Sequence, residues 1–244
     1  MTTGYVDDSE PKMTEDELVE EQIKYYRARA AEYDEWHLRR GRYDRGDEHR
    51  DQWFRELNLV RDALTSHEPL GTTLELACGT GLWTPQLAKG STFLTAVDAV
   101  AETIEINRLK TGDGKVEFRV ADIFRWRPER QYDFVFFGFW LSHVPATRFA
   151  DFWNVVRRSL RASGRVFFVD SLETQSSTAT DHALIDSSGM VERKLNDGRT
   201  FHVVKRFYDA DSLKRNLGPL GWKADVKTTG DFFLYGTAVL EGDA

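Results

Sequence analysis

Short apolar runs alternate with helix-like segments through the middle of the chain. The runs are bounded by glycine, aspartate or other polar residues and predict five strands, at residues 74–77, 93–97, 116–120, 132–138 and 165–169. Helical spacing of apolar residues predicts helices between them, at residues 82–89, 101–109 and 145–160. The fourth run is apolar on both faces, which indicates a central strand. The regular alternation therefore predicts a parallel sheet that is covered by helices on both faces.

The alternation stops after Asp170. A Ser/Thr-rich stretch at 171–180 predicts a loop, and the runs 191–195 and 200–207 flank Asp197-Gly198, which favours a hairpin. The last predicted elements are a helix at 209–217 or 209–220 and two strands at 222–228 and 232–240. Only a short turn joins these two strands, so they should be antiparallel neighbours.

The N-terminal part of the chain is helical and charged. Apolar residues recur at helical spacing from Glu15 to about His37, and this pattern puts Tyr26 and Tyr33 on about one face. The other predicted segments are a disordered tail at 1–14, a mobile charged loop at 39–51 and a helix from residue 47 or 48 to 64.

A glycine turn follows the first predicted strand. Cys78-Gly79-Thr80-Gly81 ends this strand and opens a helix, an arrangement in which the backbone can approach a ligand and offer free N–H groups. Asp98 closes the second strand nineteen residues after Gly79, where a carboxylate can hold the hydroxyl pair of a ribose. The sequence therefore predicts a site for a nucleotide-like ligand.

Composition and charge narrow the choice of partners. The 244 residues carry a net charge of −7 without a long basic block, which disfavours a nucleic-acid partner. Aromatic residues make up 13% of the chain, which is rich enough to indicate that some of them line a pocket. The single cysteine, Cys78, allows no intrachain disulfide, and the histidines lack metal-ligand spacing. We see no signal peptide or membrane span, and expect a cytoplasmic protein without a metal or a membrane partner.

Three motifs together resemble the class I S-adenosylmethionine-dependent methyltransferases. They are the glycine loop Glu75-x-x-Cys78-Gly79-Thr80-Gly81, Asp98 after the second strand, and Ala121-Asp122-Ile123 after the third. The resemblance covers about residues 70–170 and returns at 230–236. It implies that S-adenosylmethionine is the cosubstrate and S-adenosylhomocysteine the product.

The resemblance also implies the fold and the organisation of the chain. The expected fold is an α/β Rossmann-like three-layer sandwich, in which a mostly parallel seven-stranded sheet has an antiparallel C-terminal strand. An N-terminal helical lid would span 15–66, and the methyltransferase core would span 67–244 with a hairpin insertion at about 172–207.

The resemblance and the positions beyond the strand ends predict which residues contact the cosubstrate. These residues are Tyr26, Tyr33, Glu75, Gly79, Thr80, Gly81, Trp83, Asp98, Ala99, Asp122, Ile123, Phe139 and Trp140. In similar methyltransferases the glycine loop meets the methionine carboxylate, an acid such as Asp98 takes the ribose hydroxyls, and a pair such as Asp122 and Ile123 flanks the adenine. Glu75 either faces the ligand amino group or only supports the loop, and Trp83 either walls the pocket or packs on the sheet.

Two features near the expected methyl group allow more than one interpretation. His143 follows the central strand and either takes a proton from the acceptor as a general base or only packs and positions other groups. Tyr26 and Tyr33 lie on a helix that, by the resemblance, folds over the pocket as a lid. The alternative is an ordinary amphipathic helix of the core.

A nicotinamide or flavin dinucleotide is the rival ligand. Its fingerprint needs a third glycine at the start of the helix, where this chain has Trp83-Thr84. An indole at that place would crowd a pyrophosphate, and S-adenosylmethionine has no phosphate. The sequence therefore favours S-adenosylmethionine over the cofactor of an oxidoreductase.

We therefore predict methyl transfer to a small apolar or aromatic molecule by in-line displacement. The tetrapeptide of DNA amino-methyltransferases is absent, and Gly138-Phe139-Trp140-Leu141 stands in its place. Two alternatives remain open, a protein or RNA methyltransferase and a module that binds S-adenosylmethionine without catalysis. The chain could be a monomer or a homodimer.

Overall fold

The structure is a computed structural model that describes residues 14–112, 114–182 and 189–242. Within these residues the α-helices are α1 (Glu15–Arg29), α2 (Tyr33–Leu38), α3 (Asp47–Thr65), α4 (Thr84–Gly90), α5 (Ala101–Thr111), α6 (Phe149–Ser159) and α7 (Ala210–Leu217). The β-strands are β1 (Gly71–Leu76), β2 (Ser91–Asp98), β3 (Val116–Val120), β4 (Tyr132–Gly138), β5 (Leu160–Ser171), β6 (Met190–Lys194), β7 (Thr200–Val204), β8 (Trp222–Thr228) and β9 (Phe233–Leu240). The tail expected at 1–14 lies outside the described residues except for Thr14, which caps α1.

Seven of these strands form one sheet, in the order β3-β2-β1-β4-β5-β9-β8. Strands β1 to β5 are parallel, and β9 is antiparallel to both of its neighbours. The strands β6 and β7 pair separately as the predicted hairpin. The fold expected from the sequence is confirmed, because the carboxyl ends of the parallel strands meet at one edge of a sheet covered on both faces.

Aromatic side chains of β4 divide the core into two layers. Phe137 points to one face, where its ring packs at right angles on those of Phe152 and Trp153 of α6. Phe136 points to the other face and lies 5.4 Å from Trp83 between ring centroids. Helix α3 closes this second face with the buried residues Trp53, Leu57, Val60 and Leu64. Alternate residues of one central strand thus anchor both helical layers of the sandwich.

The single N-terminal helix predicted from Glu15 to His37 is wrong, because the chain turns at residues 30–32 between α1 and α2. Tertiary contacts hold this turn in place of further helix. The Arg29 guanidinium lies 4.8 Å from the ring centroid of Tyr33, and the side chain of Asp34 accepts a hydrogen bond from Thr80. The turn leaves the ring centroids of Tyr26 and Tyr33 6.1 Å apart.

The charged segment 39–51 is not the loose loop expected from its composition. Arg39 is fully buried and donates hydrogen bonds to the carbonyl oxygens of Ser176 and Ser177, at 2.7 and 3.0 Å. Its guanidinium also lies 4.4 Å from the ring centroid of Trp53. The segment therefore fixes the Ser/Thr-rich stretch after β5 on the surface of α3.

Several boundaries also differ from the prediction. Helix α4 begins at Thr84 with a proline next, and α6 begins only at Phe149. Strand β5 begins at Leu160 and continues through Ser163-Gly164, which we had expected to form a turn. The reason is that Leu160 already pairs with Tyr132 of the neighbouring strand. None of the helices in the described part of the chain is long and apolar enough to cross a membrane.

Candidate active site

A cavity with an empty volume of about 720 Å³ opens at the carboxyl ends of β1, β2 and β4. Its wall combines the glycine loop, the residues after β2 to β4, and one side of α1 and α2. The predicted residues that line it are Tyr26, Tyr33, Gly79, Thr80, Asp98, Ala99, Asp122, Ile123, Phe139 and Trp140. The fold therefore brings together side chains that lie far apart in the sequence. Glu75, Gly81 and Trp83 lie outside this lining.

Asp98 joins the end of β2 to the glycine loop. Its Oδ2 atom accepts a hydrogen bond from the Gly79 N–H at 2.9 Å, and its Oδ1 atom accepts one from the Val100 N–H at 2.9 Å. Burial raises the pKa of this carboxyl, while these N–H donors counteract the rise. A carboxylate offers about four lone-pair sites. The Thr103 hydroxyl also donates to Oδ1, at 3.4 Å. A ribose hydroxyl can therefore use the remaining lone pair of Oδ2 or replace this long contact with Thr103.

Asp122 serves as a turn cap and as part of the cavity wall at once. Its Oδ1 atom accepts a hydrogen bond from the Phe124 N–H at 2.9 Å, and its Oδ2 atom lies 3.6 Å from Nε of Arg125. Ile123 is buried beside it, and the Phe124 ring lies 6.0 Å from that of Trp140. Two aromatic rings and an isoleucine beside a hydrogen-bond acceptor suit a flat, polar-edged ring such as adenine.

Glu75 and Gly81 support the loop from behind the cavity. Thr84 donates a hydrogen bond to Glu75 Oε2 at 2.7 Å, and Asn107 of α5 donates one to Thr84 at 2.7 Å. Burial raises the pKa of Glu75 to about 8, so its carboxyl is largely protonated at neutral pH. A Cβ atom at Gly81 would lie 2.4 Å from Oδ1 of Asn107, so glycine there allows close packing of the loop on α5.

The N–H groups of both loop glycines have partners within the protein. Gly79 donates to Asp98, as described above, and Gly81 donates to the Cys78 carbonyl at 3.1 Å. The Thr80 hydroxyl donates to Asp34 of α2 at 2.6 Å. The loop is thus held by its own strand, by β2 and by the N-terminal helices.

Trp83 lies beneath the cavity floor. It is buried between Phe136, Arg61 of α3 and Gly138, where a Cβ atom would lie 2.9 Å from its indole nitrogen. This position corresponds to packing on the sheet, one of the two interpretations of Trp83. Gly138 is the end of β4, so the indole supports the segment that carries Phe139.

Two non-glycine residues at the strand ends adopt left-handed backbone conformations. Ala77 has φ of 54° after β1, and Phe139 has φ of 57° after β4. Both line the cavity. A positive φ is unfavourable for residues with a Cβ atom and is found where the surrounding structure holds it, often at functional sites. The Phe139 N–H donates to the Val169 carbonyl at 2.8 Å, which holds this turn.

A second cavity, with an empty volume of about 500 Å³, adjoins the first. The two cavities share Tyr26, Tyr33 and Phe139. The described residues that line the second cavity include no aspartate or glutamate. They do include the cationic residues Arg29 of α1, Arg193 of β6 and Lys205 after β7.

These cations are buried, and aromatic rings rather than carboxylates surround Arg29. Arg29, Arg193 and Lys205 are each less than 10% exposed. Arg29 donates to the Tyr43 hydroxyl at 3.0 Å, and Nη1 of Arg193 has no hydrogen-bond partner in the described part of the chain. No carboxylate among residues 14–112, 114–182 and 189–242 forms an ion pair with either arginine. The second cavity is therefore strongly positive.

Among the described residues, Lys205 is the member of this group that has a carboxylate within 4 Å. Its Nζ atom lies 3.8 Å from Oδ1 of Asp170 and donates to the Ser142 hydroxyl at 2.8 Å. Burial lowers its pKa to about 8, against the opposing effect of Asp170. His143, next to Ser142, also lines this cavity and contacts the Tyr26 hydroxyl at 2.9 Å. Burial and the charge of Lys205 keep the pKa of His143 well below its usual value.

Sequence reasoning missed the cationic residues and Phe124. Arg29 lies three residues after Tyr26 and four before Tyr33, so helical spacing could have placed it near both. Arg193 and Lys205 belong to the hairpin, and only the packing of this hairpin on α1 brings them to the cavity. Among the described residues no group of three potential metal ligands is present.

Comparisons with known proteins agree with this fold and site. The model of a methyltransferase domain matches residues 73–164. The complex of DhpI with SAH is similar at 36% identity and a TM-score of 0.78, over 94% of this chain and 100% of that chain. A complex of DhpI with SAM and HEP is similar at 35% identity and a TM-score of 0.76, over 93% and 99%.

A more distant structure shows the same fold. It is the Burkholderia thailandensis 1,6-didemethyltoxoflavin-N1-methyltransferase, with 15% identity and a TM-score of 0.62 over 98% of both chains. No curated protein matches the chain.

The fold and the site define a class I methyltransferase. With 36% identity to DhpI along nearly the whole of both chains, and with a methyltransferase domain at its centre, this chain belongs to the S-adenosylmethionine-dependent methyltransferases. Its cosubstrate is S-adenosylmethionine. The first cavity fits this ligand in the carboxylate of the partly buried Asp98 and in its aromatic end.

Proposed function

We propose that this methyltransferase transfers the methyl group to a small molecule that carries an anionic group, and that the second cavity binds this acceptor. The observation that carries the proposal is the cluster of Arg29, Arg193 and Lys205 in a lining without a described acidic residue. The cavity adjoins the cosubstrate cavity through Tyr26, Tyr33 and Phe139. An acceptor held there would lie next to the donor.

The energetic argument is that buried charge needs compensation. Burial of an ionised side chain without a partner costs on the order of a few kcal/mol. Arg29 and Arg193 lack a described carboxylate partner, and an arginine does not lose its proton at physiological pH. A bound carboxylate, phosphate or similar oxyanion would supply the missing negative charge through charge-assisted hydrogen bonds.

This proposal departs from the apolar or aromatic acceptor expected from the sequence. That expectation rested on the many aromatic residues, but much of this aromatic surface packs in the core or around the first cavity. The aromatic residues of the second cavity surround charged and hydroxyl groups. Its lining favours a polar, negatively charged acceptor with a small apolar part.

The protein's side chains then bind the acceptor, align it with the methyl donor and exclude water. Bound S-adenosylmethionine supplies an electrophilic methyl group on a positively charged sulfur. Arg29, Arg193 and Lys205 hold the anionic part of the acceptor, and the aromatic wall keeps water from the junction of the cavities. A lone pair of the acceptor forms the bond to the methyl carbon, and the electrons of the broken carbon–sulfur bond stay on sulfur.

The solved neighbours support a small acceptor. DhpI has been crystallised with SAM and HEP together, and the toxoflavin-type enzyme with 1,6-didemethyltoxoflavin. These similarities support the proposal and leave the acceptor itself to experiment.

The test is release of S-adenosylhomocysteine over a panel of acceptors. The panel contains small carboxylates, phosphate monoesters, phosphonates and sulfonates, together with neutral phenols and amines, peptides and RNA. We expect turnover only with anionic members. Turnover with neutral members alone would contradict the proposal, as would turnover only with peptide or RNA. Tight binding of S-adenosylmethionine without turnover of any acceptor would favour the non-catalytic alternative.

A matched pair of variants links the activity to the cavity. Arg193→Met keeps most of the side-chain volume but removes the charge, and we expect kcat/KM to fall about 10- to 100-fold. Arg199→Met is the control in the same hairpin, since the side chain of Arg199 is 57% exposed and pairs with Asp197. Equal effects of the two substitutions would count against an anion site in the cavity.

A further inference from the structure

The hydrogen-bond directions around His143 follow from its contact with β7. Its Nδ1 atom lies 2.7 Å from the carbonyl oxygen of Val204. A carbonyl only accepts hydrogen bonds, so Nδ1 carries the hydrogen. The groups that face the ring are Tyr26 and Arg29 from α1, Arg193 from β6 and Lys205 after β7. Three of them are cationic, so the imidazole stays neutral and its Nε2 atom keeps a lone pair.

Tyr26 must therefore be the donor in its contact with His143. Its Oη atom lies 2.9 Å from Nε2, and the two rings meet at 87°. Gln22, one turn earlier on α1, donates to the His143 carbonyl at 3.2 Å and accepts from the Val204 N–H at 3.2 Å. These contacts fix α1 and the imidazole relative to each other. The hydrogen of Tyr26 is thus bound to Nε2 of His143, and the lone pairs of the Tyr26 oxygen remain available.

We propose that His143 is a positioning residue, which takes the hydrogen of the Tyr26 hydroxyl and so leaves the Tyr26 oxygen as a hydrogen-bond acceptor at the junction of the two cavities. Tyr26 lines both cavities, so this oxygen lies between the donor side and the acceptor side. The proposal rests on the proposed function, since it concerns the bound anion. It replaces the general-base role of His143 with an indirect role.

His143 and a bound anion would compete for the hydrogen of the Tyr26 hydroxyl. A tyrosine hydroxyl with a free hydrogen would donate it to an anion in the second cavity, because hydrogen bonds to charged acceptors are the stronger ones. Such a bond would tie up a lone pair of the acceptor and would stabilise the bound ground state. By holding the hydrogen, His143 leaves the anion to the arginines and Lys205. Removal of His143 should therefore strengthen anion binding rather than weaken it.

The first test is spectroscopic and needs no acceptor. In ¹⁵N–¹H long-range correlation spectra of the full-length, histidine-labelled protein, His143→Gln identifies the signal of His143. We expect the neutral tautomer with hydrogen on Nδ1 from pH 6 to 8, and a shift of the Nε2 signal in Tyr26→Phe. The tautomer with hydrogen on Nε2, or a ring that gains a proton within this pH range, would overturn the proposal.

The second test measures sulfate binding by isothermal titration calorimetry. Sulfate only accepts hydrogen bonds near neutral pH, so it reports on free donors in the cavity. His143→Met and His143→Gln have similar size, and only glutamine offers a strong acceptor for the Tyr26 hydrogen. We expect His143→Met to bind sulfate about three- to tenfold more tightly than the natural chain. We expect His143→Gln to bind within about twofold of the natural chain.

A double variant separates this effect from general repacking. In Tyr26→Phe there is no hydroxyl, so adding His143→Met should change sulfate affinity by less than about twofold. Tighter binding in this double variant, or unchanged or weaker binding in folded His143→Met alone, would refute the positioning role. If the natural chain does not bind sulfate, the anion site of the proposed function fails, while the spectra still decide the direction of the Tyr26 hydrogen.

Discussion

Asp34 of α2 accepts a hydrogen bond from the Thr80 hydroxyl at 2.6 Å, so the N-terminal helices are tied directly to the glycine loop. The second oxygen of Asp34 pairs with Lys110 of α5. One side chain of α2 therefore contacts two elements of the core beside the first cavity. If α1 and α2 act as the lid expected from the sequence, Asp34 would hold it closed.

Loss of this contact should weaken retention of S-adenosylmethionine. We expect Asp34→Ala and Thr80→Val each to raise the dissociation rate about three- to tenfold, which corresponds to the loss of one side-chain hydrogen bond. Stopped-flow fluorescence measures this rate. Lys110→Met is the control, since it removes only the more exposed ion pair. A rate for Asp34→Ala equal to that of the control would argue against the closing role.

Asp98 should be the side chain on which cosubstrate affinity depends most. Asp98→Asn keeps one acceptor oxygen for the loop but loses the charge and part of the capacity to accept ribose hydroxyls. We expect the affinity for S-adenosylmethionine to fall by about 1.5 to 3 kcal/mol. Calorimetric titration gives the value, and thermal unfolding verifies that the protein is folded. A change in affinity of less than twofold would show that Asp98 does not contribute to cosubstrate binding.

Anion binding should weaken as Lys205 loses its proton. Burial lowers the pKa of Lys205 to about 8, so its charge is present below that pH and is lost as the pH rises through it. We expect sulfate affinity at pH 9 to be lower than at pH 7, because one of three cations is gone. The sulfate affinity of Lys205→Arg should be almost independent of pH over this range, since arginine stays charged. A pH dependence that persists in Lys205→Arg would assign it to another group.

Glu75 should make the stability of the cosubstrate-free protein depend on pH. Its folded-state pKa of about 8 lies above the ordinary value of 4.5, so the folded protein binds the proton more tightly. This contribution is fully present below about pH 4.5 and is lost as the pH rises to 8. The loss is on the order of 4 kcal/mol by linkage.

Glu75→Gln removes the titrating group and keeps an acceptor for the Thr84 hydroxyl. Urea unfolding at pH 5 and pH 8 should show a smaller loss of unfolding free energy for this variant than for the natural chain. Glu129→Gln is the control, because Glu129 is 69% exposed. If the natural chain and Glu75→Gln lose equal stability, Glu75 is ionised in the folded state.

Gly138 should not tolerate a side chain. A Cβ atom there would lie 2.9 Å from the indole nitrogen of Trp83, so we expect Gly138→Ala to lower the unfolding free energy by about 1 to 3 kcal/mol. Gly218→Ala is the control, with nothing within 4 Å of its added Cβ atom. Adding Trp83→Phe to Gly138→Ala should recover part of the loss if the indole is the cause. Thermal or urea unfolding measures all three.

The fold and the donor side of the site could be predicted because their signals are local. The glycine loop and Asp98 come from short, consecutive segments whose geometry follows from strand, turn and helix. Trp83 follows the same loop, yet its place beneath Gly138 depends on how the indole packs against β4. Local spacing indicated that Trp83 lies at the start of the helix after the loop, but it did not indicate the direction of the side chain.

The acceptor side depends on contacts between distant segments. The turn between α1 and α2 is set by Asp34 and Thr80, which are 46 residues apart. Arg193 and Lys205 reach the cavity through the packing of the hairpin on α1. An arginine in a strand pattern is ordinarily a solvated residue, so the sequence carries no sign that Arg193 is buried. The substrate class could therefore be proposed only from the tertiary structure.

The cationic residues come from segments outside the matched methyltransferase domain at 73–164. Arg29 precedes this domain, and Arg193 and Lys205 follow it. Under the proposed function, the segments on either side of this domain would decide which molecule receives the methyl group. Arg29, Arg193 and Lys205 lie outside the lining of the first cavity, so substitutions at these positions would change the preferred acceptor without altering that lining.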